Sequence, residues 1–440
     1  MQKRKDLYLI ILPGIVLSII YSIIALKSNW WAEILLIIIL YLAASIPYLI
    51  SLFILKDQGT DTISVKKRLY LIISFSILFR IILLPSPPSL SDDIYRYLWD
   101  GRVQSHGINP YKYTPNSDNL AFLKDEYADK VNEPTRPTIY PPLAQIVSLV
   151  GVNISYTVTF MKLIYVIFDL LLIFVIYKIL LFRGDNTLKV IIYAWNPVAV
   201  IEFASNGHND SMAIFFLFLS FYLAMKDRPF LSVSSLSFSV LSKYTPMILL
   251  PFYYKKIDKR ALLLFPLIII VLFWPYRNGI EELLGGIKIY SHLQKFNDSI
   301  FYILHSMFLH YLKDYYNPWH LAMIDSKMVI VVILISVLIY LFIKNKELVR
   351  SAYIIIGLFI ILSFQVQPWY LMWILPFVCI YRGRAWIVLT SLIPLSYYTY
   401  VKFYSPEKIW HESLIIKSIE YFPFYFLLIY DYIKAKGRKG

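Results

Sequence analysis

The sequence has few charged residues, few glycines and a single cysteine. Charged residues occupy 16% of its 440 positions, whereas soluble domains contain about 25%. The only cysteine, Cys379, lies in an apolar stretch, which excludes an internal disulfide and any cysteine-ligated metal site. The 14 glycines form no phosphate-binding loop of the Walker type. The sequence therefore offers no sign of a nucleotide site.

Hydrophobic residues make up 58% of the chain and aromatic residues 17%. They come in long blocks, for example residues 7–26, 34–55 and 328–343. A transmembrane helix needs about 20 apolar residues to cross a hydrocarbon core of about 30 Å. The basic N-terminus precedes an apolar stretch without a small-residue cleavage site, which indicates a retained first span. These patterns predict an all-α polytopic membrane protein.

The net charge of +15 comes from basic clusters between the apolar blocks, as in membrane proteins whose Lys and Arg stay cytoplasmic. The clusters contain Lys3, Arg4, Lys5, Lys56, Lys66, Lys67, Arg68, Arg183, Lys189, Lys226, Arg228, Lys255, Lys256, Lys259, Arg260, Lys344, Lys346, Arg350, Arg382, Arg384, Lys434, Lys436, Arg438 and Lys439. Placing them inside predicts that both termini are cytoplasmic. Nucleic-acid binding is disfavoured, because no soluble basic domain exists to carry it.

Residues 230–254 are the exception to a simple alternation of spans. They begin and end beside basic clusters, yet two full crossings need about 40 residues. We predict a re-entrant helix pair that turns near residues 242–246, where Pro246 ends or kinks a helix. Lys243 would then face a polar cavity. The alternative is one long helix with a snorkelling lysine. Counting the remaining blocks predicts about 12 full spans.

The longest interruption of the hydrophobic pattern, residues 85–156, lies on the outer side in this topology. It contains Asp92 and Asp93, whose carboxylates suit the first turn of a helix capped by Ser91. A functional reading is that this acidic pair supplies a general base, because a carboxylate at a partly dry interface has a raised pKa. Arg96 could pair with the two acids, and Arg96 or Arg102 could instead hold a phosphate.

A second outer cluster contains Glu202 and the turn at residues 206–210. Asn209 or Asp210 suits the N-cap of the next helix. A site for a divalent cation, Mg or Mn, is an alternative, with His208 and Asp210 joining Asp92 or Asp93 as ligands. Asp169 lies deep within a predicted span and is therefore an intramembrane acid. Such an acid is either paired internally or functional.

Several of these blocks resemble a known family of membrane enzymes. Residues 92–104 read DDIYRYLWDGRVQ, and residues 107–111 read GINPY. The later blocks are TIYPPLAQ at 138–145, NGHND at 206–210, SKYTP at 242–246 and QPWY at 367–370. Together they resemble the GT-C superfamily of glycosyltransferases, especially its glycosyltransferase-87-like and polyprenyl-phosphate-mannose-dependent mannosyltransferase groups. This chain departs from the simplest family layout, because two spans rather than one precede the span leading into the acidic loop.

The resemblance implies a single GT-C-like transmembrane domain over residues 1–440, with residues 85–156 as catalytic loop and 277–326 as a second outer segment. It implies a hexosyltransferase, mannose-like and inverting, that uses a polyprenyl-phosphate-linked sugar donor. The acceptor would be a hydroxyl of a glycan or glycolipid at the outer face of the cell membrane. Asp92 or Asp93 would be the catalytic base. The expected substrate-binding residues are Arg96, Arg102, Arg136, Tyr140, His208, Asn209, Asp210, Lys243 and Trp369.

Two other functions compete with an enzyme. A transporter or flippase of lipid-linked sugars would line its path with charged groups such as Asp169, Glu202 and Lys243. The one-sided placement of the polar loops disfavours it, because a carrier needs gates on both faces. A structural or assembly subunit would leave the clustered acids unexplained.

Overall fold

The computed structural model describes residues 2–27, 33–56, 62–291, 295–381, 383–404 and 408–437. These residues are helical or irregular and contain no β-strand, only an isolated parallel bridge between Phe296 and Gln365. The prediction of an all-α protein is therefore confirmed. Three residues of the predicted basic clusters, Arg382, Arg438 and Lys439, lie outside the described parts of the chain.

The chain divides into two compact units. The first comprises Met1–Ile248 and Ile257–Leu293. Its helices are α1 (Gln2–Ala25), α2 (Ile34–Lys56), α3 (Thr62–Leu83), α4 (Asp93–Ser105), α5 (Pro142–Ile154), α6 (Val158–Phe182), α7 (Ile191–Ala194), α8 (Pro197–Ala204), α9 (Asp210–Met225), α10 (Pro229–Ser242), α12 (Lys259–Leu262), α13 (Leu264–Phe273) and α14 (Ile280–Ser291). Within this unit α9 packs against both α6 and α10, and α4 packs against α5.

The second unit comprises Leu249–Lys256 and Gln294–Gly440. Its helices are α11 (Leu250–Lys256), α15 (Ile300–Tyr311), α16 (Pro318–Ile343), α17 (Leu348–Leu362), α18 (Leu375–Tyr381), α19 (Arg384–Leu392), α20 (Tyr398–Phe403) and α21 (Leu414–Gly437). It has its own buried ion cluster, in which Lys417 pairs with Asp298 and Glu412. The prediction of one domain over residues 1–440 stays a prediction.

Several helices have the length and composition of membrane spans. Among the described residues, four helical segments qualify, namely Ile34–Phe53, Val158–Phe182, Lys259–Tyr290 and Pro318–Ile343. The pair Thr187–Ala194 and Pro197–Ala204, bent by 56°, would make a fifth if it forms one span. On α16, Met328, Val332 and Ile335 are exposed along one face, as expected of a helix that faces lipid. The chain is a membrane protein, and the count of about 12 spans stays a prediction.

The two irregular regions singled out in the sequence have clear structures. Near its end, the outer loop forms the helix α5. Residues 85–156 also contain α4 and two 3-10 helices, Asp118–Leu123 and Ala128–Lys130. In the 230–254 segment, α10 ends at Ser242 and Lys243 has an extended backbone, so the helix breaks at the predicted place. The re-entrant arrangement of this segment stays a prediction.

Buried ion pairs anchor the helices of the first unit. Arg80 of α3 and Asp169 of α6 are fully buried, and their Nε and Oδ2 atoms lie 2.5 Å apart. Tyr193 donates a hydrogen bond to the other oxygen of Asp169 at 2.6 Å. Removing one partner of such a pair would leave an uncompensated buried charge. Asp169 is thus paired internally, the first of the two alternatives for this residue.

A buried lysine fixes the start of the outer loop next to the turn at residues 206–210. Lys162 of α6 is fully buried. Its ammonium donates to the backbone oxygens of Ser86, at 2.5 Å, and Ser205, at 3.2 Å. A buried ammonium is retained only where acceptors compensate its lost hydration. This lysine therefore places the loop that carries Asp92 beside the turn that carries His208.

Candidate active site

The acidic pair lies at the N-terminus of α4. Asp92 is the N-cap residue and Asp93 the first residue of the helix. The helix begins one residue later than the predicted Ser91 cap implies, although the Ser91 hydroxyl still accepts a bond from the Asp93 amide at 3.3 Å. Both carboxylates therefore lie at the positive end of the helix dipole. Neither is fully buried, so they remain open to a ligand.

An asparagine from the distal part of the outer loop joins the two acids. The Asn132 side-chain amide donates to Oδ1 of Asp92 and to Oδ1 of Asp93, both at 2.8 Å. A single NH₂ group carries two donor hydrogens, one for each carboxylate. Asn132 therefore holds two negative charges side by side.

Arg96 has a structural position in this loop. Its guanidinium donates to the backbone oxygens of Asn132, at 3.2 Å, and Arg136, at 2.6 Å. It also forms an ion pair with Asp100, at 3.5 Å, rather than with the acidic pair. Because its donors are bound to protein and the side chain is 5% exposed, Arg96 holds the Asn132 segment against α4 and is poorly placed for a phosphate.

The other two candidate arginines differ in their surroundings. Arg102 forms an ion pair with Asp125 at 2.9 Å and stacks over the Tyr156 ring at 5.0 Å. Arg102 thereby links α4 to two later parts of the outer loop. Arg136 pairs with the more exposed Glu133 at 3.2 Å and retains a partly exposed guanidinium. The two side chains are similarly exposed, 26% for Arg102 and 28% for Arg136.

His208 approaches the acidic pair from the 206–210 turn. Its Nδ1 lies 3.4 Å from Oδ2 of Asp93. The turn depends on Gly207, which has φ +75°, and a Cβ there would lie 2.8 Å from side-chain atoms of Ile94 and Lys162. Glycine is therefore required both for the backbone conformation and for the close packing that brings His208 to Asp93.

A buried glutamate lies on the far side of the imidazole. Oε2 of Glu202 lies 3.4 Å from Nε2 of His208 and accepts a bond from Asn206 at 2.8 Å. Tyr41 of α2 donates to its other oxygen at 2.9 Å. Glu202 and His208 are both fully buried. The sequence places Glu202 near the 206–210 turn, and the fold shows that it contacts His208.

Lys243 completes the cluster from the break after α10. Its ammonium lies 2.6 Å from Oδ2 of Asp210, which is fully buried, while the lysine side chain is 24% exposed. Three separate parts of the chain thus meet: Asp92 and Asp93, the 206–210 turn, and Lys243. All three belong to the first compact unit. The contacts between His208 and Asp93 and between Lys243 and Asp210 bring these parts together.

The surroundings give the two adjacent carboxylates different proton affinities. Burial, followed by the negative charge of Asp93, raises the pKa of Asp92 to about 6. Burial also acts to raise the pKa of Asp93, but contact with His208 and the charge of Lys243 outweigh it and lower the pKa below its usual value. Burial acts to lower the pKa of His208, but Asp93 and Glu202 outweigh it and raise that pKa to about 9. At neutral pH the cluster therefore pairs an imidazolium with an ionised Asp93 and leaves Asp92 as the stronger base.

Three further predicted residues occupy different settings. Tyr140 packs edge-on against Tyr97, with ring centroids 4.9 Å apart, and the charge of Asp93 contributes, after burial, to a raised pKa of its hydroxyl. The Asn209 carboxamide is buried and makes no hydrogen bond within the described parts of the chain. Trp369 lies in the second unit, buried in the 3-10 helix Pro368–Trp373, and its role stays a prediction.

The proposed metal ligands are engaged with other groups. His208 contacts a carboxylate on each ring nitrogen, and Asp210 pairs with Lys243. Across the described residues, no group of three or more histidine, cysteine, aspartate or glutamate side chains is arranged to hold a metal ion. These side chains do not fit the divalent cation considered from the sequence.

Comparison with known proteins places this cluster in a family context. A family model described as alpha-(1->6)-mannopyranosyltransferase, N-terminal domain (MptA/B family), matches residues 19–256, which is more than half of the chain. Alpha-(1->6)-mannopyranosyltransferase A of Corynebacterium glutamicum is 27% identical over 201 residues. That alignment covers 44% of this chain and 39% of the relative. The matched family region contains Asp92, Asp93, the 206–210 turn and Lys243.

Proposed function

The chain belongs to the alpha-(1->6)-mannopyranosyltransferase (MptA/B) family, and on that premise we propose that it transfers a mannosyl residue from a polyprenyl-phosphate donor to a glycan hydroxyl. The reaction would occur at the outer face of the membrane, with inversion at C1. The observation that carries the proposal is the meeting of Asp92 and Asp93 with His208 and with the Lys243–Asp210 pair. A transferase of this kind needs a base and nearby cations, and the cluster offers both.

Asp92 acts as the general base in this proposal. Its carboxylate takes the proton of the acceptor hydroxyl while the hydroxyl oxygen attacks C1 of the donor sugar. The bond between C1 and the phosphate oxygen breaks, and its electron pair leaves with the polyprenyl phosphate. A pKa of about 6 suits this task, because the group is mostly ionised at neutral pH yet still basic enough to accept a proton.

Asp93 has a different part in the same step. The sugar ring gains positive charge as its bond to phosphate breaks, so a carboxylate that stays ionised stabilises the transition state. His208 keeps Asp93 ionised and oriented, with Nδ1 3.4 Å from its oxygen. Oε2 of Glu202 lies 3.4 Å from Nε2 of His208, on the opposite side of the ring from Asp93. We assign His208 and Glu202 as positioning residues that act through Asp93.

Cations are needed where the phosphate departs. Lys243 is partly exposed and lies in the cluster, and its charge reaches Asp93. Arg136 is the second candidate, because its backbone is tied to Arg96 while its side chain reaches the partly exposed surface. Preorganised positive charge at a leaving phosphate lowers the barrier without costing reorganisation. Tyr140 and Asn209 are assigned to the donor sugar.

The transporter alternative is less well supported. Its three candidate path residues are all engaged with protein partners: Asp169 with Arg80, Glu202 with Tyr41, and Lys243 with Asp210. A path for a charged cargo would require groups that exchange partners as the cargo passes. The paired arrangement favours a fixed site.

The proposal is tested with the purified chain in proteoliposomes. We expect transfer of radiolabelled mannose from polyprenyl-phosphate mannose to an alpha-(1->6)-linked mannotriose, with formation of a tetrasaccharide. GDP-mannose in place of the lipid donor serves as the control and is expected to give no product. Transfer from GDP-mannose alone would refute the lipid-donor proposal. Movement of the donor across the bilayer without a new glycosidic bond would favour the transporter.

A further inference from the structure

A cleft of about 540 Å³ lies in the first unit, away from the acidic pair. It is bounded by the C-terminal end of α4, the segment that follows it, and the 3-10 helix Trp274–Gly279. Asp93 and Gln104 are the first and twelfth residues of α4, so about 16 Å of helix separates them. The cleft and the acidic pair are therefore at opposite ends of the same helix.

The wall of the cleft is held in place by hydrogen bonds. The Tyr276 hydroxyl donates to Oε1 of Gln104 at 2.8 Å, and the Asn109 amide donates to the Tyr276 backbone oxygen at 3.2 Å. The Gln104 amide in turn donates to Oε1 of Gln145 at 3.0 Å. A cleft that is ordered before its ligand arrives avoids much of the entropic cost of binding.

The side chains around the cleft indicate what kind of ligand fits. They include the carboxamides of Gln104, Asn109 and Asn278 and the aromatic rings of Tyr113 and Tyr276. None of the described residues that line it is acidic, which disfavours a metal or organic cation. A single Lys112 is a weak clamp for a phosphate. Amide donors and acceptors beside aromatic rings suit a neutral ligand that carries many hydroxyl groups.

Aromatic contacts lead from Tyr276, which lines the cleft, toward the acidic site. Tyr111 packs edge-on against Tyr276, with ring centroids 5.4 Å apart. The Tyr111 hydroxyl donates to the backbone oxygen of Tyr140 at 2.6 Å, and Tyr140 lies within electrostatic reach of Asp93. A row of tyrosines thus runs from the cleft toward the carboxylates.

From the cleft, its amide lining and its distance from the acidic pair, we infer that it is a binding site for the acceptor glycan. It would hold neutral hexose units of the acceptor chain at a distance from the hydroxyl that reacts at Asp92. A single hexose is too short to span the separation, so the ligand is an oligosaccharide or a longer glycan. This inference rests on the proposed function, since it names the acceptor of that reaction.

The test measures binding of alpha-(1->6)-linked mannotriose to the purified chain in nanodiscs by saturation-transfer NMR titration. Asn278→Ala and Lys112→Ala each remove one polar group from the cleft. We expect each to weaken binding about fivefold, equivalent to about 1 kcal/mol and typical of one lost hydrogen bond. In the transfer assay, KM for the acceptor rises similarly and kcat is unchanged.

Matched controls lie on the same loop but outside the cleft. Asn119 and Lys124 are exposed, so Asn119→Ala and Lys124→Ala are expected to leave mannotriose binding unchanged. Asp92→Asn is expected to bind mannotriose like the wild type while losing transfer. Wild-type affinity in both cleft variants, or no mannotriose binding by the wild type, would overturn the inference. If the wild type transfers mannose but the cleft variants bind mannotriose normally, the cleft assignment fails and the proposed function stands. If binding depends on the cleft but no transfer occurs, the proposed function fails instead.

Discussion

Asp92 and Asp93 are adjacent in sequence, yet the fold gives them different chemistry. Asn132 donates to both, but only Asp93 contacts His208. The His208 imidazolium keeps Asp93 ionised. Burial and the negative charge of Asp93 together raise the pKa of Asp92 to about 6. Two neighbouring acids with separated pKa values are suited to two roles.

We predict a bell-shaped pH profile for kcat/KM. Activity falls as the pH drops through about 6, because Asp92 becomes protonated. It falls again as the pH rises through about 9, because His208 loses the proton that supports Asp93. The measurement is mannosyl transfer at low donor concentration between pH 5 and pH 10, a range chosen to bracket both pKa values.

His208→Gln provides the matched variant for the alkaline limb. It keeps a polar side chain but cannot carry charge, so the fall near pH 9 should disappear and the overall rate should drop. His208 has an ordinary pKa of 6.5 and a folded-state pKa of about 9. Its contribution to stability is complete below pH 6.5 and lost as the pH rises through 9. The wild-type Tm should therefore fall over this interval more than that of His208→Gln, and equal slopes would contradict the ion pairs assigned to this histidine.

The residues that the sequence could identify are those whose chemistry is unusual at their position. Acidic neighbours at a helix start, a histidine in a polar turn and a lysine at a helix break each suggested function. Asn132 could not be identified, because its contact with Asp93 spans 39 residues. Arg96 was expected near Asp92 by helical spacing, but the same spacing also permits Asp100. The choice of Asp100 over Asp92 as the partner of Arg96 depends on the folded position of the Asn132 segment.

At the scale of elements, the site depends on the packing of α4 against α5. Gly101 lies at this contact, where an added Cβ would be 2.5 Å from the Ser148 backbone oxygen and 2.6 Å from a Val152 methyl. The Ser148 backbone oxygen cannot withdraw without moving its helix. Helix α4, which carries Asp93 at its start, therefore packs against α5 through a close contact at Gly101.

We predict that Gly101→Ala destabilises the chain by about 1–3 kcal/mol, the usual cost of overpacking a well-packed contact. Gly285→Ala is the matched control, because Gly285 lies in helix α14 with open space around its Cβ position. There alanine should leave stability unchanged or raise it by about 0.5–1 kcal/mol, since it lowers the conformational freedom of the unfolded chain. Thermal unfolding in detergent, followed by circular dichroism, measures both. An equal Tm for the two variants would contradict the packing assigned to Gly101.

At the scale of the whole molecule, the charge pattern predicted that residues 230–254 return to the cytoplasmic side. In the second unit, the Lys255 ammonium donates to the backbone oxygen of Phe342 at 2.6 Å, and Lys256 donates to that of Asn345 at 3.3 Å. Both lysines thus lie at the C-terminal end of α16, next to Lys344 and its predicted cytoplasmic cluster. Lysines at this end also complement the helix dipole. A cytoplasmic position for this end of α16 would therefore place Lys255 and Lys256 on the cytoplasmic side as well, and the re-entrant arrangement stays a prediction.

Cysteine labelling tests that topology. We expect Lys255→Cys to react with a membrane-impermeant maleimide only after the cells are lysed, and Asp129→Cys in the outer loop to react in intact cells. Cys379 is fully buried, so a Cys379→Ala background removes the only native thiol at the usual cost of a small cavity. Labelling of Lys255→Cys in intact cells would reject the re-entrant pair and the orientation built on it.

The all-helical class was predictable from composition, because long apolar blocks in a chain this poor in charge leave few other folds. The division into two compact units was not, since the charged run at one of its boundaries, residues 255–260, has the pattern of a cytoplasmic cluster between spans. Residues 249–256 belong to the second unit although both flanking segments belong to the first. Residues 249–256 belong to the second unit because α11 packs against α16 and α17. The local sequence of this segment does not indicate these contacts.

The central claim is that the carboxylates at the start of α4 perform the chemistry. Its most direct test is the rate of mannosyl transfer by Asp92→Asn and Asp93→Asn, with Asp129→Asn as the control because Asp129 is an exposed acid of the same loop. We predict that Asp92→Asn lowers kcat by about 10²–10⁴, the range for loss of a general base. Asp93→Asn should lower it strongly as well, and Asp129→Asn should not change it. Full activity in both Asp92→Asn and Asp93→Asn would contradict the account.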